Sequence, residues 1–147
     1  MSEAATRSAI YDTMKSVADV GLVHDYDRWA ADWNKFIDLF KINIGGVDQI
    51  RGWEILQKAP VNEDRTSIKR RTYSIKGYMS INDSLATEKT FSALIDAIAA
   101  KFRESQSLGG ALNGHNFIQV ETLEPRMFGS ILCHFAELTL TVYEFIA

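Results

Sequence analysis

The sequence predicts an α+β fold: a largely antiparallel four-stranded sheet, built from a long hairpin and a C-terminal hairpin, packed against amphipathic helices in the order α-α-β-β-α-β-β. Three observations predict it. From Ile131 to Phe145 a period of two persists, with Leu132, Ala136, Leu138, Leu140 and Val142 on one side and Glu137, Thr139 and Thr141 on the other. Phe91, Leu94, Ile95, Ile98 and Phe102 recur on one helical face, while Lys89, Asp96, Lys101 and Arg103 avoid it. Neither an internal repeat nor a regular βαβ alternation is present, so the sheet is expected to be antiparallel.

Taken in order, Ile10, Met14, Val17 and Ala18 place a first amphipathic helix over Ser2 to Ala18, ended by Gly21. His24-Asp25-Tyr26-Asp27 reads as connecting structure. Trp29, Trp33, Phe36, Ile37 and Phe40 follow the i, i+4, i+7, i+8, i+11 series of a second helix. Ile44-Gly45-Gly46 interrupts that period and lets the backbone turn. A strand is expected from about Ile50 to Ala59, with Trp53 and Ile55 inward and Pro60 ending its ladder. Its partner runs from Ile68 to Ile81, setting Tyr73, Ile75, Gly77, Met79 and Ile81 against Thr72, Ser74, Lys76 and Ser80. The connecting loop, Val61 to Ser67, is charged and too long for a tight primed turn, so it reads as a projecting contact arm.

Asn82, Asp83 and Ser84 each suit a helix N-cap ahead of the third helix, Thr87 to Phe102. Gly109, Gly110 and Gly114 mark a loop. A short strand over Phe117 to Leu123, ended near Pro125, and a turn around Arg126 to Gly129 lead into the final strand.

A chain of 147 residues with 46% hydrophobic and 24% charged residues is expected to form one domain, residues 1–147, around one core. A net charge of −3 leaves no basic footprint for nucleic acid. Cys133, the single cysteine, supplies neither an internal disulfide nor a cysteine-based zinc site. The N-terminal segment lacks an apolar signal-peptide run and no stretch has membrane-spanning length, so a cytoplasmic chain without membrane contact is expected.

The residues that suggest chemistry read better as structure. His24, Asp25 and Asp27 read as turn residues rather than metal ligands or a base with its orienter. His115 follows the turn signal Asn113-Gly114, and Gly109-Gly110 lacks phosphate-loop spacing. Cys133 and His134, adjacent in a strand, point to opposite faces and cannot act as nucleophile and base together. Lys69-Arg70-Arg71 divides its charge between two faces. Trp29, Trp33 and Trp53 are expected in the core, with interface anchoring as the alternative. No catalytic, cofactor or metal residue is expected.

The element order, the segment HDYDRWAADWNKFIDLF (residues 24–40) running on to IRGWEI, and the ending FGSILCHFAELTLTVYE (residues 128–144) resemble the small tail terminator, or tail-completion, proteins of long-tailed bacteriophages. The similarity covers most of the chain and rests on layout and strand pattern. The resemblance implies a non-enzymatic virion protein, made in the host cytoplasm and placed at the tail and neck. It implies a homo-oligomeric ring, typically a hexamer, that caps the tail tube protein, stops its polymerisation and offers a docking surface to the head-side stopper or connector; a contractile tail would add sheath contacts. The Trp-rich segment departs from the most compact members. The expected interface residues are Glu63, Asp64 and Arg65 on the hairpin tip and Glu137, Thr139 and Thr141 on the wetter face of the last strand. A neck stopper or connector adaptor is a neighbouring alternative. A small ligand-binding protein or enzyme, with a pocket using His134 or Tyr73, is one from another class.

Overall fold

A computed structural model of the chain describes residues 2–63 and 67–146. Over those residues three α-helices accompany a seven-stranded, mostly antiparallel sheet. Helix α1 (Glu3–Lys15) starts where Ser2 Oγ accepts from Ala5 N at 3.1 Å, and Thr6, Ile10 and Met14 form its buried stripe at a spacing of one turn. Gly21, at φ +94°, is confined to glycine because a Cβ would run into the Arg51 backbone. Strand β1 (Leu22–His24) then pairs parallel with β3.

The second helix is shorter than its periodicity suggests. Helix α2 covers only Trp33–Asp38, because Asp32 adopts extended angles (φ −143°, ψ 167°) and its carboxylate caps Lys35 N at 2.9 Å. Trp29 therefore lies in an irregular strap ahead of the helix. Strand β2 (Lys41–Ile44) forms a hairpin with β3 (Val47–Glu63) through Gly45-Gly46, both at positive φ, as a two-residue primed turn requires. Strand β3 passes the expected stop at Pro60: the β3–β4 register shifts between Lys58 and Asn62 and then resumes. That stretch has a partner on only one side, where a missing N–H is tolerated.

Strand β4 (Ile68–Ser80) pairs with β3 and, over its whole length, with β7 (Ile131–Phe145). Asn82 caps a 3-10 turn, Asp83–Leu85, and α3 (Thr87–Arg103) follows. Strands β5 (Gly114–His115) and β6 (Gln119–Phe128) both lie on the far side of β7. The four strands foreseen correspond to β3, β4, β6 and β7. Strands β1, β2 and β5 are too short for a period of two to register, so the four-stranded order gives way to seven. Strand β6 also outruns its expected end, since Pro125 faces His134 within the ladder.

Helices α1 and α3 cover one sheet face. Ile10, Met14, Phe91 and Ile98 pack there on Trp53, Ile55, Tyr73, Ile75, Leu138 and Leu140. Trp53 stacks on Phe91 at 5.7 Å and donates Nε1–H to Val20 O at 3.0 Å. Gly77 makes room for that indole, because a Cβ there would enter the ring. The opposite face carries a second cluster at the end near the β6–β7 turn: Ile37, Phe40, Ile50, Phe128 and Cys133, with Phe36 and Tyr78 against them. Trp53 is a core residue as expected. Trp29 and Trp33 are not: they remain 77% and 58% exposed.

Candidate interface: a polar sheet face and two open edges

Where α2 does not cover the second face, polar residues of neighbouring strands bind one another across the ladder. Ser74, opposite Thr139, donates its hydroxyl to Glu137 Oε2 at 2.6 Å. Thr139 donates to Glu121 Oε1 at 2.9 Å, and the Thr72 and Thr141 hydroxyls share a hydrogen bond of 3.1 Å. Lys58 Nζ stands 3.8 Å from Glu137 Oε2. Glu137, Thr139 and Thr141 are thus brought together as expected, on the face opposite the α1–α3 core. The face is less wet than its composition suggests: Thr139 and Ser74 are buried and Glu137 and Thr141 half-buried, because cross-strand partners satisfy them. Of the expected tip residues, Glu63 ends β3, exposed and 3.2 Å from Lys69 Nζ. Asp64 and Arg65 lie outside the described residues.

Besides the short strands β1, β2 and β5, each paired on one side only, two longer stretches of strand keep an open edge among the described residues. Strand β6 pairs only with β7, so one side of Gln119–Phe128 has no neighbouring strand. The second half of β3, residues 56–63, pairs only with β4, since β1 and β2 end at Glu54 and Ile50. These edges lie on opposite sides of the sheet and at opposite ends of its strands. Exposed Leu123 and Met127 oppose Ala136 and Leu132 on the helix-side face, Leu123 at the margin of α3 in the cavity it shares with Phe91, whereas Glu124, Arg126 and Phe128 take the other face. A register shift at Glu121 and the lack of an N–H at Pro125 interrupt the β6 edge, which limits indiscriminate strand addition. Sequence reasoning missed this surface because Pro125 suggested a strand end. The signal available was the alternation of Leu123 and Met127 with Glu124 and Arg126.

The histidines are held by structural partners. His24 ends β1, with Nε2 donating to Leu39 O at 2.6 Å and Nδ1 accepting from Arg28 at 3.0 Å. His115 is buried, its two ring nitrogens 2.6 and 2.8 Å from the carbonyl oxygens of Asn116 and Ser105, and it ties the glycine-rich loop to β5. Cys133 is wholly buried, and burial pushes its thiol up to about 11. His134, on the opposite face, stacks on Phe91 and lies 2.9 Å from Thr87 Oγ1; burial lowers its pKa, with Glu88 opposing. It lines a cavity of about 300 Å³ with Glu88, Phe91, Leu123 and Pro125, whereas Tyr73 is sealed in the core. Among the described residues no group of three or more His, Cys, Asp or Glu is placed to hold a metal ion.

One titratable group gave no warning in the sequence. Glu54, on β3 beneath the strap, is 3% exposed and accepts from Arg28 N at 3.4 Å. Burial raises it to about 7, with the Arg28 N–H and the charges of Lys76 and Arg28 pulling down and Asp27 pushing up. Among the described residues no helix is long and apolar enough to cross a membrane. No family model matches the chain, and no curated protein matches it.

Proposed function

We propose that this chain is a ring-forming virion protein, a tail terminator whose subunits join head to tail, cap the tail tube and stop its polymerisation. The observation that carries the reading is a pair of long open edges, β6 and the second half of β3, on opposite sides of one sheet. Two different edges on one molecule suit a heterologous contact, which closes into a ring when the rotation between copies permits. Their offset along the strands supplies the stagger that a closed, tilted sheet needs. The polar face bearing Glu137, Thr139 and Thr141 would line or flank the ring, and the tip at Glu63, Asp64 and Arg65 would reach its neighbour. A homohexamer, docked to a head-side connector above and to the tube protein below, follows from the resemblance. Its action is steric: edges on which another tube ring would grow are covered, and no bond is made or broken.

Polymerising tail tube protein with and without the purified chain tests the reading, with images by negative stain. Rings at tube ends and a sharp fall in tube length are expected. Unchanged tube length together with binding to portal-side protein would transfer the chain to a stopper or adaptor role, and no binding to either would remove it from the tail. The cavity beside His134 favours a small-ligand protein: at about 300 Å³ it is at the lower limit of ligand pockets. Its histidine is engaged with Thr87, and Ser92, the hydroxyl among the lining residues, is directed to Glu88 at 3.4 Å rather than to the histidine.

A further inference from the structure

The strap between β1 and α2 holds a notch that neither core uses. Trp29, Ala30, Ala31, Asp32, Trp33 and Phe36 enclose about 190 Å³, less than a drug-sized ligand requires and of the order of one long side chain. Its two indoles are exposed yet fixed. Trp29 stacks on Phe36 at 5.9 Å with planes 12° apart, and its Nε1–H donates to Asp27 Oδ2 at 3.0 Å. Trp33 meets Phe36 and Phe128 edge-on at 5.7 and 6.0 Å, and Asp32 is held by capping Lys35 N. Rigid aromatic groups of this kind are preorganised as anchors, since little side-chain entropy is left to lose on contact.

The charge around the notch chooses the occupant. Over residues 25–36 Asp25, Asp27 and Asp32 outnumber Arg28 and Lys35, and Arg28 is turned away, over the Tyr26 ring at 4.9 Å and against His24. An aromatic wall with a carboxylate at its rim suits a cation on a long apolar stem: the stem lies along the indoles and the head meets the ring face and Asp32. We infer that the notch receives a lysine or arginine side chain from a basic segment of a partner polypeptide. The notch abuts the Phe128 end of β6 through Trp33, but its lining comes from the strap and α2, and the inference stands whether or not the chain forms a ring.

Capped Leu-Arg-Leu and Leu-Lys-Leu peptides, with Leu-Glu-Leu as control, test this when titrated into the full chain while the indole N–H resonances are followed. Trp29 and Trp33 are expected to shift saturably with the basic peptides, at least tenfold more weakly with the acidic one, while buried Trp53 stays still. Trp29→Ala should reduce the affinity at least fivefold. Asp32→Asn, which keeps the indoles and a capping oxygen, should reduce it severalfold and so separates lost recognition from lost folding. Equal response to the acidic peptide, no saturable shift, or unchanged binding in both variants would overturn the inference. So would loss of self-association on Trp29→Ala with no peptide effect, since the occupant would then be a second copy.

Discussion

At the scale of single residues, Glu54 links the strap to solution pH. Its carboxyl keeps its proton in the folded chain up to about 7, whereas an unfolded one releases it near the ordinary glutamate value of 4.5. The group's contribution to stability is therefore fully present below about pH 4.5 and is lost as pH rises through 7, a swing of about 3 kcal/mol. Glu54→Gln should flatten this dependence, leaving the variant the more stable protein near pH 8 and closely matched near pH 5. Denaturant titrations at the two values check it, and parallel pH curves would show that Glu54 is solvated. Gly77→Ala places a methyl group in the Trp53 indole and should cost about 1–3 kcal/mol, read as a lower denaturation midpoint. Alternation alone sets Trp53 inward and Gly77 on the same side of its strand as Tyr73 and Ile75. That they pack on each other follows from the register Trp53↔Gly77, which no local pattern encodes.

At the scale of elements, the β6 edge should separate stability from assembly. Leu123→Lys with Met127→Lys alters positions that are more than half exposed, so folding stability should change by no more than about 0.5 kcal/mol per site. If subunits join through this edge, the concentration needed for rings should rise tenfold or more, as sedimentation would show. Unchanged assembly would exclude β6 from the contact. Glu63→Lys tests the tip: its ion pair with Lys69 is exposed and worth at most about 1 kcal/mol, so a loss of tube capping without unfolding would place the tip in an interface. The elements legible in the sequence were those with sustained periods, α1, α3, β4 and β7. Strands β1, β2 and β5 escaped because two to four residues cannot display a period. Helix α2 was overextended because the apolar spacing of Trp29 to Phe40 continues through Asp32, whose capping hydrogen bond starts the helix later.

At the scale of the whole molecule, two apolar clusters lie back to back on one sheet, and β3 and β7 contribute to both. Loss of the helix-side core should therefore remove the support of the other. The prediction is one cooperative unfolding transition, in which Trp53 fluorescence and far-UV circular dichroism coincide. A separate early transition, confined to Trp29 and Trp33 emission, would show the strap and α2 to be an independent unit.

By itself the sequence determined the α+β class, the inward residues of the central strands, the α3 stripe and the gathering of Glu137, Thr139 and Thr141 on one face. Each follows from a period read over many residues, and side-chain direction in a strand or helix is a local property of the backbone. Only the tertiary structure decided which strand edges stay open, that Trp29 and Trp33 face outward, that Thr139 is buried on a polar face, and that Glu54 loses its water. These depend on which elements end beside one another, and burial is set by neighbours distant in the chain.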